Sequence, residues 1–296
     1  MKSALIRLHI AIFLWGFTGV LGRVINLNEG WLVWWRMFIT VISMWILFAA
    51  TKKVQRIGKK DFLQVGFIGT LLALHWLCFY GSIKYSNVSV ALTCLSTAGL
   101  MSAVLEPLYF RRRINPKELL LGLFALAGIA LVYLSNLSFS TGIYIGLTAT
   151  VLSVSVSILN KKIVSNYKPE TITLYELSGG FIGLSLLMPI YQHLFPSEHV
   201  MPSLTDFGWL ILLSWVCTIL TVLLYFNALK SVSAFTANLS LTLEPVYGIL
   251  LAFAIYKENE HFGYTFYVGF ALILLAVFIQ MRTIMRKEKQ IIPPME

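Results

Sequence analysis

Apolar runs of about 20 residues follow one another down this chain with only short polar breaks, and a helix of that length matches the hydrocarbon thickness of a bilayer. Isolated strands are excluded for such runs, because a lipid-exposed strand edge leaves backbone N–H and C=O groups unpaired in hydrocarbon. The pattern predicts an all-α integral membrane protein with ten spanning helices, at residues 5–25, 31–50, 62–83, 87–109, 118–135, 141–159, 171–192, 206–226, 232–256 and 263–281. The 23 lysines and arginines then fall in alternate connections: at Lys2 and Arg7, in 51–60, 110–117 and 160–168, at Lys230, and beyond 281. Only Arg23, Arg36, Lys84 and Lys257 are left over. Short cationic loops resist translocation, so these segments and both termini are predicted to be cytoplasmic in a multi-pass protein of the plasma (inner) membrane.

Composition agrees with this class, since 12% of the residues are charged and 58% hydrophobic, against roughly 25% and 45–50% in a soluble domain. Ten spans use nearly the whole chain and leave no room for a domain outside the membrane. A net charge of +10 would suggest nucleic acid in a soluble protein. Here the cations sit in separate short loops, where membrane lipids with anionic headgroups are the expected partners and no nucleic acid is. Cys78, Cys94 and Cys217 fall inside predicted spans, where a thiol acts as a small apolar side chain. The first apolar stretch has no small-residue cleavage site and reads as a retained helix.

An internal repeat appears when residues 79–84 (Phe-Tyr-Gly-Ser-Ile-Lys) are set on 225–230 (Tyr-Phe-Asn-Ala-Leu-Lys), an offset of 146. Helix three then maps onto eight, four onto nine and, with one inserted residue, five onto ten. The predicted units are residues 1–136 and 141–284, followed by a cytoplasmic tail, 285–296. A five-helix repeat inverts the second copy in the membrane, the arrangement of many secondary transporters around a central cavity. A competing register, offset 138, pairs Glu106-Pro107-Leu108-Tyr109 with Glu244-Pro245-Val246-Tyr247. It requires an eight-residue deletion before Glu244 and breaks the agreement in the flanking helices.

Intramembrane ionisable residues point to function, because a charge at mid-bilayer costs roughly 2.5–3.5 kcal/mol on insertion scales. Glu244 falls about midway along predicted helix nine. It must face a wet cavity, pair with a cation or hold a proton, and Pro245 beside it frees the carbonyl of Leu241. Arg36 has two readings, snorkelling to the outer headgroups or a guanidinium in the cavity able to grip a carboxylate with two hydrogen bonds. Its contact with Glu244 is left open by the sequence. His75 can relay a proton, and Trp76 and Tyr80 stand one turn apart as pocket walls. Polar stripes at helical spacing, Ser89, Thr93, Ser96 and Thr97, then Ser153 and Ser157, then Thr218, Thr221 and Tyr225, line a pathway or bond between helices. Glu176 is a weaker candidate, and Glu106 is explained by pairing with Arg111–Arg113. Trp31, Trp34 and Trp35 read as an interfacial belt, and Gly16, Gly19, Gly22, Gly142, Gly146, Gly179 and Gly183 as close helix contacts.

Leu14-Trp15-Gly16, Arg36, Pro245, the Lys257-Glu258 pair and the glycine-spaced helices five and ten together resemble the EamA-like branch of the drug/metabolite transporter superfamily. The resemblance spans essentially the whole chain. It implies two inverted five-helix repeats, a cavity lined by helices one, three, four, six, eight and nine, and export of amino acids or related small metabolites. Departures are Gly99 opposite Pro245, Arg112 at the position for an acidic residue, and the three tryptophans where helix two often begins with proline. The candidates for the cavity or coupling are Glu244, Arg36, His75, Trp76, Trp15, Tyr80, Thr93, Ser96, Ser153, Thr221, Tyr225, Asn238 and Ser240.

A phosphate-binding Gly-x-x-x-x-Gly-Lys-Ser/Thr loop and a His-Glu-x-x-His pair are both missing from the sequence, so no cofactor, metal or enzymatic activity is expected. His193, Glu198 and His199 read as a solvated outer loop. The expected function is a secondary transporter working by alternating access, with proton coupling through Glu244 or His75 as a hypothesis. The alternative is an intramembrane enzyme or sensor that uses the same cavity without moving solute.

Overall fold

The computed structural model describes residues 2–51, 54–111, 113, 116–135, 137–161, 163, 167–232 and 240–291. All regular structure among them is helical: α1 (Lys2–Val24), α2 (Glu29–Thr51), α3 (Lys59–Tyr85), α4 (Val88–Ser96), α5 (Ala98–Tyr109), α6 (Pro116–Ser135), α7 (Ser140–Asn160), α8 (Pro169–Leu194), α9 (Leu204–Ser214), α10 (Thr221–Leu229), α11 (Glu244–Tyr256) and α12 (Tyr264–Ile291). A π-helical segment, Trp215–Leu220, joins α9 to α10 without a break. Six helices are long and apolar enough to cross a bilayer, and α4 with α5, bent by 41°, makes a seventh if counted as one span. Leu120–Ser135, Glu244–Tyr256 and Tyr264–Ile279 are shorter apolar helices. Predicted span 232–256 lies partly outside the described residues. Large apolar side chains such as Leu63, Leu134 and Leu186 stand exposed, the outward face that lipid would cover.

The element ends follow local chemistry. Asn87 caps α4 by accepting from the Val90 amide, and Ser203 caps α9 by accepting from the Asp206 amide. The loosening expected beside Pro245 is a full break: Ser240 and Leu241 are helical, Thr242 and Leu243 form a turn, and α11 starts at Glu244 with Pro245 in its first turn, where its missing N–H costs nothing.

Packing is set by glycine. α3 lies along α7 and α8, α6 along α12, α1 along α10 and α11, and α4 along α7 and α11. At Gly16 an added Cβ would stand 2.8 Å from the Glu244 carbonyl oxygen and 2.9 Å from the Gly248 nitrogen. At Gly69 it would stand 1.8 Å from the Glu176 carbonyl oxygen, and at Gly128 2.7 Å from that of Gly269. Gly142, Gly146, Gly179 and Gly183 meet Ser86, Ser82, Gly66 and Thr70 in the same way. Gly69→Val is therefore expected to separate α3 from α8 at a cost of at least about 1–3 kcal/mol. Thermal unfolding of the detergent-purified protein checks this, and an unchanged melting temperature would count against the close approach.

The three helix-two tryptophans differ from a headgroup belt. Trp31 and Trp34 donate through Nε1 to Gln192 and Ser185 of α8, at 2.9 and 3.0 Å, and Trp35 donates to the Val200 carbonyl at 2.9 Å. Their ring N–H groups are satisfied within the protein, so they pin α2 to α8.

Candidate functional site

A cavity of about 560 Å³ runs through the middle of the helix bundle. Its walls extend from Arg36 and Phe79 to Ser157 and Glu176, close to the end at which Lys161 and Lys168 lie. Helices α1, α2, α3, α7, α8, α10, α11 and α12, the α4–α5 bend and the π segment all contribute, so α2, α8 and α12, the second, seventh and tenth predicted helices, add to the set the resemblance implied.

Arg36 is the best-anchored group. Only 4% of its surface is exposed, which removes the snorkelling alternative. Nη1 donates to the Tyr80 hydroxyl at 2.7 Å, and Nε and Nη2 donate to Thr218 Oγ1 at 3.3 and 3.0 Å. The guanidinium carbon lies 3.8 Å from the centroid of the Trp76 ring, a cation–π contact. Thr218 belongs to the π segment and donates to the carbonyl of Leu213, five residues back. Such segments widen a helix by a residue per turn and recur at functional sites. Here the widening places a hydroxyl opposite the guanidinium.

Glu244 lines the same cavity but forms no ion pair with Arg36. Its position in the first turn of α11 places the carboxylate at the positive end of that helix's dipole, which stabilises negative charge without neutralising it. His75, 8% exposed, shares Nδ1 with the Ala149 carbonyl at 2.8 Å. Because a carbonyl only accepts, Nδ1 carries hydrogen and Nε2 is the free position. Trp15, Trp76, Ser96 and Ser153 complete the predicted residues in the wall.

Five candidates do not face the cavity. Tyr80 is fully buried and acts through Arg36. Thr93 donates to the Ser89 carbonyl, and Thr221 to those of Cys217 and Thr218, so both hydroxyls are spent within their own helices. Tyr225 packs its ring 5.3 Å from that of Trp15, and Ser240 is buried outside the wall. Asn238 lies outside the described residues. The wall also takes in Thr18, Thr173, Thr242 and Glu176. Glu176 was legible as an intramembrane carboxylate, whereas single threonines at helical positions carry no signal that separates wall from packing.

A polar cluster ties the helices together at the far end of the bundle. Glu258, completely buried, accepts from Arg23 Nη1 at 2.5 Å, from the Val88 and Ser89 amides at 3.1 and 2.8 Å, and from Ser89 Oγ at 2.5 Å. Arg23 also lies 4.3 Å over the Tyr256 ring, whose hydroxyl donates to the Val20 carbonyl. One carboxylate thus ties α1, α4 and α11 together, and Lys84 adds a bond to the Ile25 carbonyl. At the opposite end Glu106 pairs with Lys161 at 2.6 Å and, among the described residues, not with Arg111 or Arg113; Arg112 lies outside them. There Tyr167 donates to Asp61 at 2.6 Å, and that bond holds the phenol proton above its ordinary range.

Sequence comparison agrees with this geometry. The EamA-like transporter family model matches residues 2–134 and again 140–282. The uncharacterized transporter YyaM of Bacillus subtilis (strain 168) is 24% identical, over 92% of this chain and 93% of its own. The uncharacterized transporter YxxF of the same organism is 23% identical, over 84% of this chain and 81% of its own. A solved crystal structure, 16% identical, superposes with a TM-score of 0.58 over 93% of this chain and 96% of its own, and so shares the fold. Two family matches covering nearly the whole length, together with apolar helices around a central cavity, establish that the chain belongs to the EamA-like transporter family of multi-pass membrane proteins.

Proposed function

We propose that the protein is a secondary transporter that exports amino acids or related small metabolites across the plasma membrane by alternating access, with Glu244 as the coupling carboxylate. The observation that carries this is an unneutralised Glu244 and a fixed Arg36 in the wall of one cavity that extends to Ser157 and Glu176, with the Glu258 cluster tying the helices together beyond its other end. A carrier needs a midplane site open to one side at a time, and charged groups there bind solute or proton.

Ten spans in two inverted repeats fit the same reading. Helix pairings come in exchanged sets under an offset of five spans: α1 with α10 and α3 with α7, α1 with α11 and α4 with α7. The breaks agree too. Thr97 before α5 has φ −79° and ψ −3°, and Leu243 before α11 has φ −83° and ψ −12°. These positions are 146 residues apart, which favours that register over 138. The matched ranges 2–134 and 140–282 support units at 1–136 and 141–284. The basic segments favour cytoplasmic termini, and hence a cavity facing the cytoplasm.

Purified protein in proteoliposomes is expected to move solute faster under an imposed pH gradient, and Glu244→Gln to lose that dependence. Transport that ignores the gradient and is unaltered by Glu244→Gln would remove coupling and leave a facilitator. Cysteines at Ser96 and Ser153 should be labelled from either side in different states. One-sided labelling under all conditions would favour an enzyme or sensor.

A further inference from the structure

The ionisable groups in the cavity wall are Arg36, His75, Glu176 and Glu244, so two carboxylates share it with one guanidinium. Neither carboxylate forms an ion pair among the described residues. Glu176 is 7% exposed and receives only the Asn160 amide, whose Nδ2 stands 3.2 and 3.3 Å from its two oxygens. Asn160 Oδ1 is itself buried without a partner, and a neutral carboxamide brings the carboxylate a donor but no compensating charge. Arg36 spends three of its five N–H groups on the neutral hydroxyls of Tyr80 and Thr218 and keeps its charge uncompensated.

We infer that the cavity selects solutes carrying one anionic and two cationic groups, the α,ω-diamino acids, with L-lysine as the probe; this rests on the transporter reading above. The solute carboxylate takes the free edge of Arg36, and its two ammonium groups take Glu244 and Glu176. A neutral amino acid compensates Arg36 and one carboxylate and leaves the other charged and unpaired away from water, which buried sites reject. A diamine compensates both carboxylates and leaves Arg36 unpaired.

The test is counterflow in proteoliposomes of the full chain with radiolabelled L-lysine, L-norleucine, which lacks the terminal ammonium, and 1,5-diaminopentane, which lacks the carboxylate. Lysine is expected to exceed both by at least about tenfold in kcat/KM, as for sites whose buried polar groups an analogue leaves unpaired. Glu176→Gln should bring lysine and norleucine level, lowering lysine and raising norleucine, because the carboxylate that norleucine leaves unpaired is gone. Norleucine moving as well as lysine in the unmodified protein overturns the inference without any variant, as does an unchanged ratio in a folded Glu176→Gln protein. Transport of only neutral or anionic solutes in a wider panel also overturns it and leaves the transporter reading standing. No movement of any solute in that panel removes both.

Discussion

Glu258→Ala is expected to be among the most damaging single substitutions in this protein. Its carboxylate is completely buried and receives Arg23, two amides of the first turn of α4 and the Ser89 hydroxyl. Alanine leaves two amides and a buried hydroxyl without their acceptor, and each buried donor left unsatisfied costs about 1–3 kcal/mol, while Arg23, 39% exposed, can turn to water. Thermal unfolding in detergent should drop accordingly. Because the cluster holds α1, α4 and the end of α11 together, a cysteine at Ser96 should also be labelled faster from that end than in the parent. Glu258→Gln, which keeps shape but confronts two amide donors with a poorer acceptor, should fall between. Unchanged melting and unchanged labelling in Glu258→Ala would show that the cluster neither stabilises the protein nor holds these helices together.

Arg36→Lys is expected to fold and yet to lose roughly ten- to a hundredfold in solute affinity. Lysine keeps the charge but has no planar fork. It cannot stack 3.8 Å over Trp76 while donating to both Tyr80 and Thr218. Hydrogen bonds to a charged group contribute about 1.5–3 kcal/mol, and each 1.4 kcal/mol is about tenfold in binding. Saturation curves for transport check this, since the loss belongs in KM. A lysine variant within twofold of the parent would mean that position 36 supplies only charge.

Much of this was legible in the sequence, and the reasons are specific. Hydropathy and the alternation of cations located the helices, because lipid enforces both along every span. Glu244, Arg36 and His75 stood out because a mid-membrane charge needs a reason wherever it sits. Hydroxyl residues were harder: Thr93, Ser96, Thr218 and Thr221 share helical spacing and all bond back to their own helices, yet only Ser96 and Thr218 stand in the wall. Spacing fixes which face of a helix a hydroxyl occupies and is silent on whether that face meets a void. Pro245 marked the loosened backbone before it, and only the extent was hidden: the turn at Thr242 and Leu243 makes a full helix boundary at Glu244. The π segment was equally unannounced, and with it the pairing of Thr218 to Arg36.

The glycine contacts have a consequence for how the protein is made. Gly16 awaits Gly248, Gly69 awaits the backbone of Glu176, and Gly128 awaits Gly269. In each pair one member lies before residue 136 and the other after it. The helices that leave the ribosome first therefore enter the bilayer with their closest-fitting grooves uncovered, and the last groove closes only when α12 reaches α6. Truncation during synthesis, even late, yields helices that are inserted but unassembled, and such chains are what membrane quality control would remove.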